Sequence, residues 1–184
     1  IYRHCCHHAS CGTCACMING TPALACTTRL AEIDADPIIL EPLANHPCIG
    51  DLAVANTDFF IGFDPDWATI RETENASQER TPAGIAATTR LENCIECGCC
   101  VAACPVLDPP ITFQGPAALA AINNERRNRP ENASQLVRIA SRPDGATRCQ
   151  RHLACSRVCP SKVYPARHIA DLLRAMDATP RKPS

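Results

Sequence analysis

Residues 94–105 read CIECGCCVAACP. Taken as Cys94, Cys97, Cys100 and Cys104, this is the spacing C-x2-C-x2-C-x3-C-P, the bacterial ferredoxin run in which three thiolates hold one iron-sulfur cluster and the fourth crosses to a second. A second cluster needs further cysteines, and residues 149–160 supply them. Cys149, Cys155, Cys159 and Pro160 repeat the run, with His152 where its second cysteine would stand. Crossing ligation then assigns Cys94, Cys97, Cys100 and Cys159 to a 4Fe-4S cluster and leaves Cys104, Cys149 and Cys155 for the other. Three thiols suffice for a 3Fe-4S cluster, a cube that has lost one corner. His152 stands either as a fourth ligand, since imidazole binds iron, or as a neighbour that donates a hydrogen bond and raises the potential.

Upstream, Cys6, Cys11, Cys14 and Cys26 form C-x4-C-x2-C with a more distant fourth cysteine, the plant-type arrangement for a 2Fe-2S cluster. Four soft thiolates match the charge of two ferric ions, and a tight loop aims backbone N–H groups at sulfur. Register excludes Cys5 and Cys16 as ligands. Cys6-x-His8 imitates half of a Rieske site, but four cysteines already complete this one and the second Cys-x2-His half is missing nearby. Cys99, between two ligands, is expected to point away from its cluster. Cys48, with no partner at metal spacing, reads as a small buried hydrophobe.

The remaining composition agrees with small cores cross-linked by metal. The chain has 184 residues, 15 of them Cys and 16 Pro, and only 4% aromatics, so hydrophobic burial alone is thin for so much loop. An odd cysteine count in C-x2-C groups argues against a disulfide framework and for a reducing compartment. Structural zinc shares the C-x2-C pairs but does not need the tight run. A net charge of -1 and the lack of any long basic run argue against nucleic acid. No stretch is apolar for the length of a membrane span, and IYRHCCHHAS has no signal-peptide apolar region.

Residues 1 to about 63 read as short extended pieces. MING followed by TPALAC predicts a hairpin turning at Asn19-Gly20, and PIILEPL and DLAVA predict strands. The polar stretch 71–90, with Pro82-Ala83-Gly84, reads as a connector. Beyond it GPAALAAINNERRNR, ENASQLVRIASR and PARHIADLLRAM carry helical periodicity, the last with Ile169, Leu172, Leu173 and Met176 on one face. The fold class is therefore α+β. Residues 1–80 form a plant-type 2Fe-2S ferredoxin (beta-grasp) domain with connector, and residues 81–184 an α-helical, bacterial-ferredoxin-like domain with the 4Fe-4S and 3Fe-4S clusters. Ile1 lies only five residues before the first ligand, so the domain lacks its first strands, or another polypeptide completes the sheet.

A 2Fe-2S loop followed by a 4Fe-4S and 3Fe-4S pair resembles the iron-sulfur subunit of succinate dehydrogenase and fumarate reductase, the complex II family. The resemblance runs through SCGTCACMINGTPALACTT, PCIGDLAVANTDFF, CIECGCCVAACP, ITFQGPAALAA and RCQRHLACSRVCPSKVYPARHI in that order. It implies a relay between FAD in a flavoprotein subunit and a quinone beside membrane anchor subunits, with no substrate chemistry on this chain. It also implies a peripheral place on the cytoplasmic face of a bacterial inner membrane, or on the matrix side of the mitochondrial one. Pro105, Gln150 and Arg151 match positions near the quinone in the family.

Departures from the family pattern are local. His7 replaces the usual Arg after the first cluster cysteine. Val106-Leu107-Asp108-Pro109 replaces the Trp pair of ubiquinone-reducing members, the only tryptophan being Trp67; this short loop resembles the fumarate reductase branch and a low-potential quinone. His152 stands where the family has an apolar residue. Two other classes fit less well. A free ferredoxin-like carrier would need an acidic docking face, and the iron-sulfur subunit of another flavin-dependent oxidoreductase would lack the first site and complete both four-cysteine runs.

Overall fold

The computed structural model describes residues 1–55, 93–107 and 112–178. The expected connector 71–90, the domain boundary after residue 80, Trp67 and the Asp108-Pro109 half of the short loop lie outside these residues.

The first unit is built on a hairpin. Strands β1 (Ala15–Ile18) and β2 (Thr21–Leu24) pair antiparallel with Ile18 opposite Thr21. Asn19 and Gly20 both have positive φ, 46° and 74°, the two-residue turn that matches the strands' right-handed twist. Asn19 then recruits a third strand: its backbone N–H donates to Ile39 O at 2.9 Å, and its side-chain Oδ1 accepts from Ile39 N at 2.8 Å. Strand β3 (Leu40–Glu41) pairs with β1, giving the order β2-β1-β3. PIILEPL thus yields two strand residues, because Pro37 and Pro42 bracket it and neither can donate to a ladder.

DLAVA yields β5 (Ala53–Val54), whose partner β4 (Cys48–Gly50) was not legible beforehand. Here the expectation for Cys48 is overturned. It is exposed on β4, with its thiol directed to Asp51 O at 3.7 Å. A two-stranded ribbon packed on one side leaves such a strand open to solvent, and an isolated cysteine carries no signal of that.

The second unit is helical. A single turn, α1 (Cys99–Ala102), lies inside the cysteine run and follows Gly98 at φ 79°. The long helices are α2 (Gly115–Asn128), α3 (Ala133–Ala140) and α5 (Pro165–Ala178), with the short α4 (Ala154–Arg157) inside the third cysteine group. Helix α2 is buried almost all round. Four alanines, Ala117, Ala118, Ala120 and Ala121, let its neighbours approach closely. On α5, Ile169 and Leu172 are buried in the core with Leu119, Ile122 and Leu136, while Leu173 and Met176 pack partly buried against it, as the periodicity predicts. One polar link crosses this core: Asn123 Nδ2 donates to His168 Nδ1 at 3.0 Å, both residues fully buried.

The two units share a second core. Ala15, Leu24, Leu43 and Val54 from the sheets pack with Cys99 and Ala102 of α1. The cysteine run that belongs to the helical unit by sequence therefore seals the bottom of the sheet unit in space.

Candidate iron-sulfur cluster sites

Fifteen thiols are all unpaired as disulfides, and most of the predicted ligands gather into separate groups. In the sheet unit the loop 6–14 is bent by left-handed residues, His7 at φ 58°, Ala9 at 62° and Gly12 at 69°. Bending turns backbone N–H groups onto sulfur. The N–H of His8, the Ser10 hydroxyl and the Cys11 thiol hold the Cys6 thiol down at about 5, although it is open to solvent, and Ser10 N donates to Cys6 Sγ at 3.4 Å. Cys14 and Cys26 form another pair. Burial, with the nearby Cys26 thiol adding to it, pushes Cys14 up, and Cys26 N donates to Cys14 Sγ at 3.5 Å. Cys6 with Cys11 and Cys14 with Cys26 is the grouping a two-iron rhomb needs, two terminal thiolates for each iron.

Cys94, Cys97, Cys100 and Cys159 line one cavity. Ala117 and Ala120, one helical turn apart on α2, wall it together with Pro165 of α5. Burial pushes the Cys94 thiol up to about 11 and the Cys100 thiol well above its ordinary range, with the neighbouring cysteines opposing any further negative charge. Donors partly offset this. Glu96, at φ 54°, turns its N–H onto Cys94, and Val163 N donates to Cys159 Sγ at 3.3 Å. The buried Cys99 thiol, which does not line the cavity, donates to Cys97 and lowers that thiol to about 7.

Cys104, Cys149 and Cys155 line a second cavity, which Pro116 of α2 and Ile169 of α5 face. Burial raises Cys104, and raises Cys155 to about 11, while the N–H groups of Val106 and Leu107 point at Cys104. His152 lines this cavity as well. Its Nε2 donates to Gln150 Oε1 at 3.1 Å, so that nitrogen is engaged with an amide oxygen. Pro105, Gln150 and Arg151 all border the same cavity.

The donor sets suit polynuclear clusters. Among the described residues no three Cys, His, Asp or Glu side chains converge on a point where one metal ion could sit. Here soft sulfur donors stand around the walls of a cavity, flanked by N–H donors and apolar side chains, a donor set that suits iron.

Two residues that the spacing did not single out join the sites. A Cβ added to Gly12 would fall 2.5 Å from Ile95 O and 2.9 Å from both Cα and Cβ of Cys97, so the first loop rests directly on the second. Asn45 Nδ2, from the sheet unit, reaches Val101 O at 3.0 Å and Cys104 O at 3.1 Å, capping the end of α1. Only a glycine inside a ligand loop, and an Asn before His-Pro, hinted at either.

Residues 1–61 match the 2Fe-2S iron-sulfur cluster binding domain family, and residues 90–163 the 4Fe-4S dicluster domain family. The fumarate reductase iron-sulfur subunit of Mycobacterium tuberculosis is 36% identical over 175 residues, covering 90% of this chain and 69% of that protein. Its counterpart from Escherichia coli is 34% identical over 171 residues with the same coverage, 90% and 69%. In the solved Mycobacterium smegmatis Sdh1 complex in the apo form, one chain shares the fold with a TM-score of 0.76, covering 97% of this chain and 77% of its own length at 21% identity. An N-terminal 2Fe-2S domain with small sheets, a C-terminal helical 4Fe-4S ferredoxin-like domain and these relatives together establish that the chain belongs to the family of fumarate reductase and succinate dehydrogenase iron-sulfur subunits.

Proposed function

We propose that this chain is the electron-relay subunit of a membrane-associated flavoenzyme complex, working between the FAD of a succinate- or fumarate-handling flavoprotein and a quinone beside membrane anchor subunits. Cys6, Cys11, Cys14 and Cys26 hold a 2Fe-2S cluster, Cys94, Cys97, Cys100 and Cys159 a 4Fe-4S cluster, and Cys104, Cys149 and Cys155 a 3Fe-4S cluster. When bound, these groups supply one-electron sites in series, and no substrate bond is made or broken on this chain. The protein's own part is to hold each cluster, tune it with N–H and S–H donors, and keep water off it. Pro105, Gln150 and Arg151 form the quinone-side border, with His152 as a hydrogen-bonding neighbour of the third site.

The carrying observation is the exchange of Cys104 and Cys159. Cys159 joins the cavity of Cys94, Cys97 and Cys100, while Cys104 joins that of Cys149 and Cys155, although each lies in the other's cysteine run. Such an exchange builds two sites that share α2 and α5 as walls. Attachment to a membrane then falls to partner subunits or to the protein surface, since no helix among the described residues is long and apolar enough to cross a bilayer. A peripheral position on the cytoplasmic face of a bacterial inner membrane fits this reading.

Electron paramagnetic resonance of the purified protein tests it. The oxidised protein should show a 3Fe-4S signal, and dithionite should bring up a 2Fe-2S signal. A full iron complement without the first signal would mean that the third site holds a four-iron cluster closed by His152. Co-purification of an FAD-containing flavoprotein is the expected companion result, and its absence from native preparations would sink the assignment to a complex.

A further inference from the structure

The sheet unit lays one histidine on the loop of the second site. His46 follows Asn45, and the two residues bracket α1: the Asn45 amide reaches the carbonyls of Val101 and Cys104 at its end, while the His46 ring covers Gly98 at its start. A Cβ added to Gly98 would fall 2.9 Å from His46 Nε2, 3.2 Å from its Cε1 and 3.1 Å from Leu43 Cδ1, so the ring and the leucine leave room there for nothing larger than glycine. Gly98 itself borders the cavity of Cys94, Cys97, Cys100 and Cys159. A carbonyl fixes where the ring keeps its proton. His46 Nδ1 lies 2.9 Å from Ala44 O, which can only accept, so in the neutral ring Nδ1 carries the hydrogen and Nε2 a lone pair. That Nε2 is buried and has no hydrogen-bond partner among the described residues, although leaving a buried acceptor unpaired is costly.

We propose that His46 tunes the second site: its Nε2 lone pair, held against Gly98, opposes the negative charge that reduction brings to this cavity and so holds the midpoint potential down. The proposal rests on reading the cavity as a 4Fe-4S site, and it names a residue outside the cysteine runs that sets the potential there. Its sign follows from the atoms. Donors aimed at sulfur stabilise the reduced, more negative state, as the Cys99 thiol does at Cys97. A lone pair does the reverse, and in buried surroundings its partial charge counts for more than in water. Packing alone does not require an imidazole, since Leu43 covers the same glycine with no polar atom.

Redox titration of the cluster-loaded full chain, followed anaerobically by paramagnetic resonance, tests this. His46→Phe keeps a ring on Gly98 and removes the lone pair. At a fixed potential the ratio of reduced to oxidised 4Fe-4S cluster should then rise about threefold, a positive shift of about 30 mV for a one-electron couple. His46→Asn keeps a donor for Ala44 O but is too short to carry an acceptor to Gly98, and it should shift the potential the same way. Leu43→Val loosens the packing on Gly98 and leaves the imidazole in place, so it should lower the unfolding midpoint without moving the potential. An unmoved potential in either His46 variant, a negative shift, or a shift of equal size in Leu43→Val would each overturn the proposal. Failure of the relay reading looks different: the unmodified protein, with a full iron complement, would show no reduced 4Fe-4S signal at any potential, and the proposal would fall with it.

Discussion

Gly12 lies directly against Cys97: a methyl group on Gly12 would sit 2.9 Å from the Cys97 Cβ and 2.5 Å from the neighbouring Ile95 carbonyl oxygen. The contact joins the loop of the first candidate site to the loop of the second, and both partners are close to backbone that cannot move aside cheaply. Gly12 therefore fixes how near the two sites come.

Gly12→Ala separates strain from contact when set beside Gly20→Ala. Both glycines have similar positive φ, 69° and 74°, but a Cβ on Gly20 meets nothing within 4 Å. Gly20→Ala should cost about 1–2 kcal/mol of left-handed strain. Gly12→Ala should cost more by the overpacking term, about 1–3 kcal/mol further. In the loaded protein the added methyl should push the sites apart, so the magnetic interaction between the reduced 2Fe-2S and 4Fe-4S clusters should weaken in Gly12→Ala and persist in Gly20→Ala. Equal unfolding midpoints for the two variants would refute the close contact.

Asn45 is the other tie between the units. One amide nitrogen faces the carbonyls of Val101 and Cys104, and Asn45 itself sits at φ 60°. Asp keeps the shape and tolerates that φ, yet an ionised carboxylate can only accept, so Asn45→Asp would face carbonyl oxygens with a charge. A loss of about 2–3 kcal/mol is expected from the two broken bonds and the unpaired groups. Asn45→Gly removes the clash and should lose less. Thermal unfolding in both variants checks the order, and a harmless Asp would show that the amide does not hold α1.

Cys99 matters through Cys97. Its buried thiol donates to the Cys97 sulfur and lowers that group to about 7, and hydrogen bonds to ligand sulfur raise cluster potentials by stabilising the reduced, more negative state. Cys99→Ala should leave iron content intact and shift the 4Fe-4S midpoint potential negative by tens of millivolts. A redox titration followed by paramagnetic resonance measures this, and an unchanged potential would return Cys99 to the role of simple core filler.

How much of this was legible depended on range. Asn19-Gly20 announced its turn because the two-residue loop demands positive φ at both positions. Ile169, Leu172, Leu173 and Met176 announced the buried face of α5 through their spacing. The cysteine runs carried both the grouping and the exchange of Cys104 and Cys159, because tight spacing is itself a geometric constraint. Cys48 misled, since burial of a lone cysteine is set by what the sheet packs against and not by its neighbours in sequence. Gly12 and Asn45 were invisible for the same reason: each acts across more than fifty residues of chain, on backbone atoms that carry no sequence signature.

The buried polar link between α2 and α5 makes a separate stability test. Asn123 donates to His168 Nδ1 and its Oδ1 accepts from Arg126 Nε at 3.2 Å and from a second guanidinium nitrogen at 2.9 Å. Asn123→Leu is nearly the same size, so packing changes little, but it strips a donor from a fully buried imidazole and an acceptor from the arginine. The expected cost is about 2–3 kcal/mol, a fall of roughly 5–10 °C in the unfolding midpoint for a chain this long. Because α2 and α5 wall both cavities of the helical half, the loss should also appear as faster release of iron to a chelator. Destabilisation without faster release would mean that the cavity walls hold their clusters independently of this link.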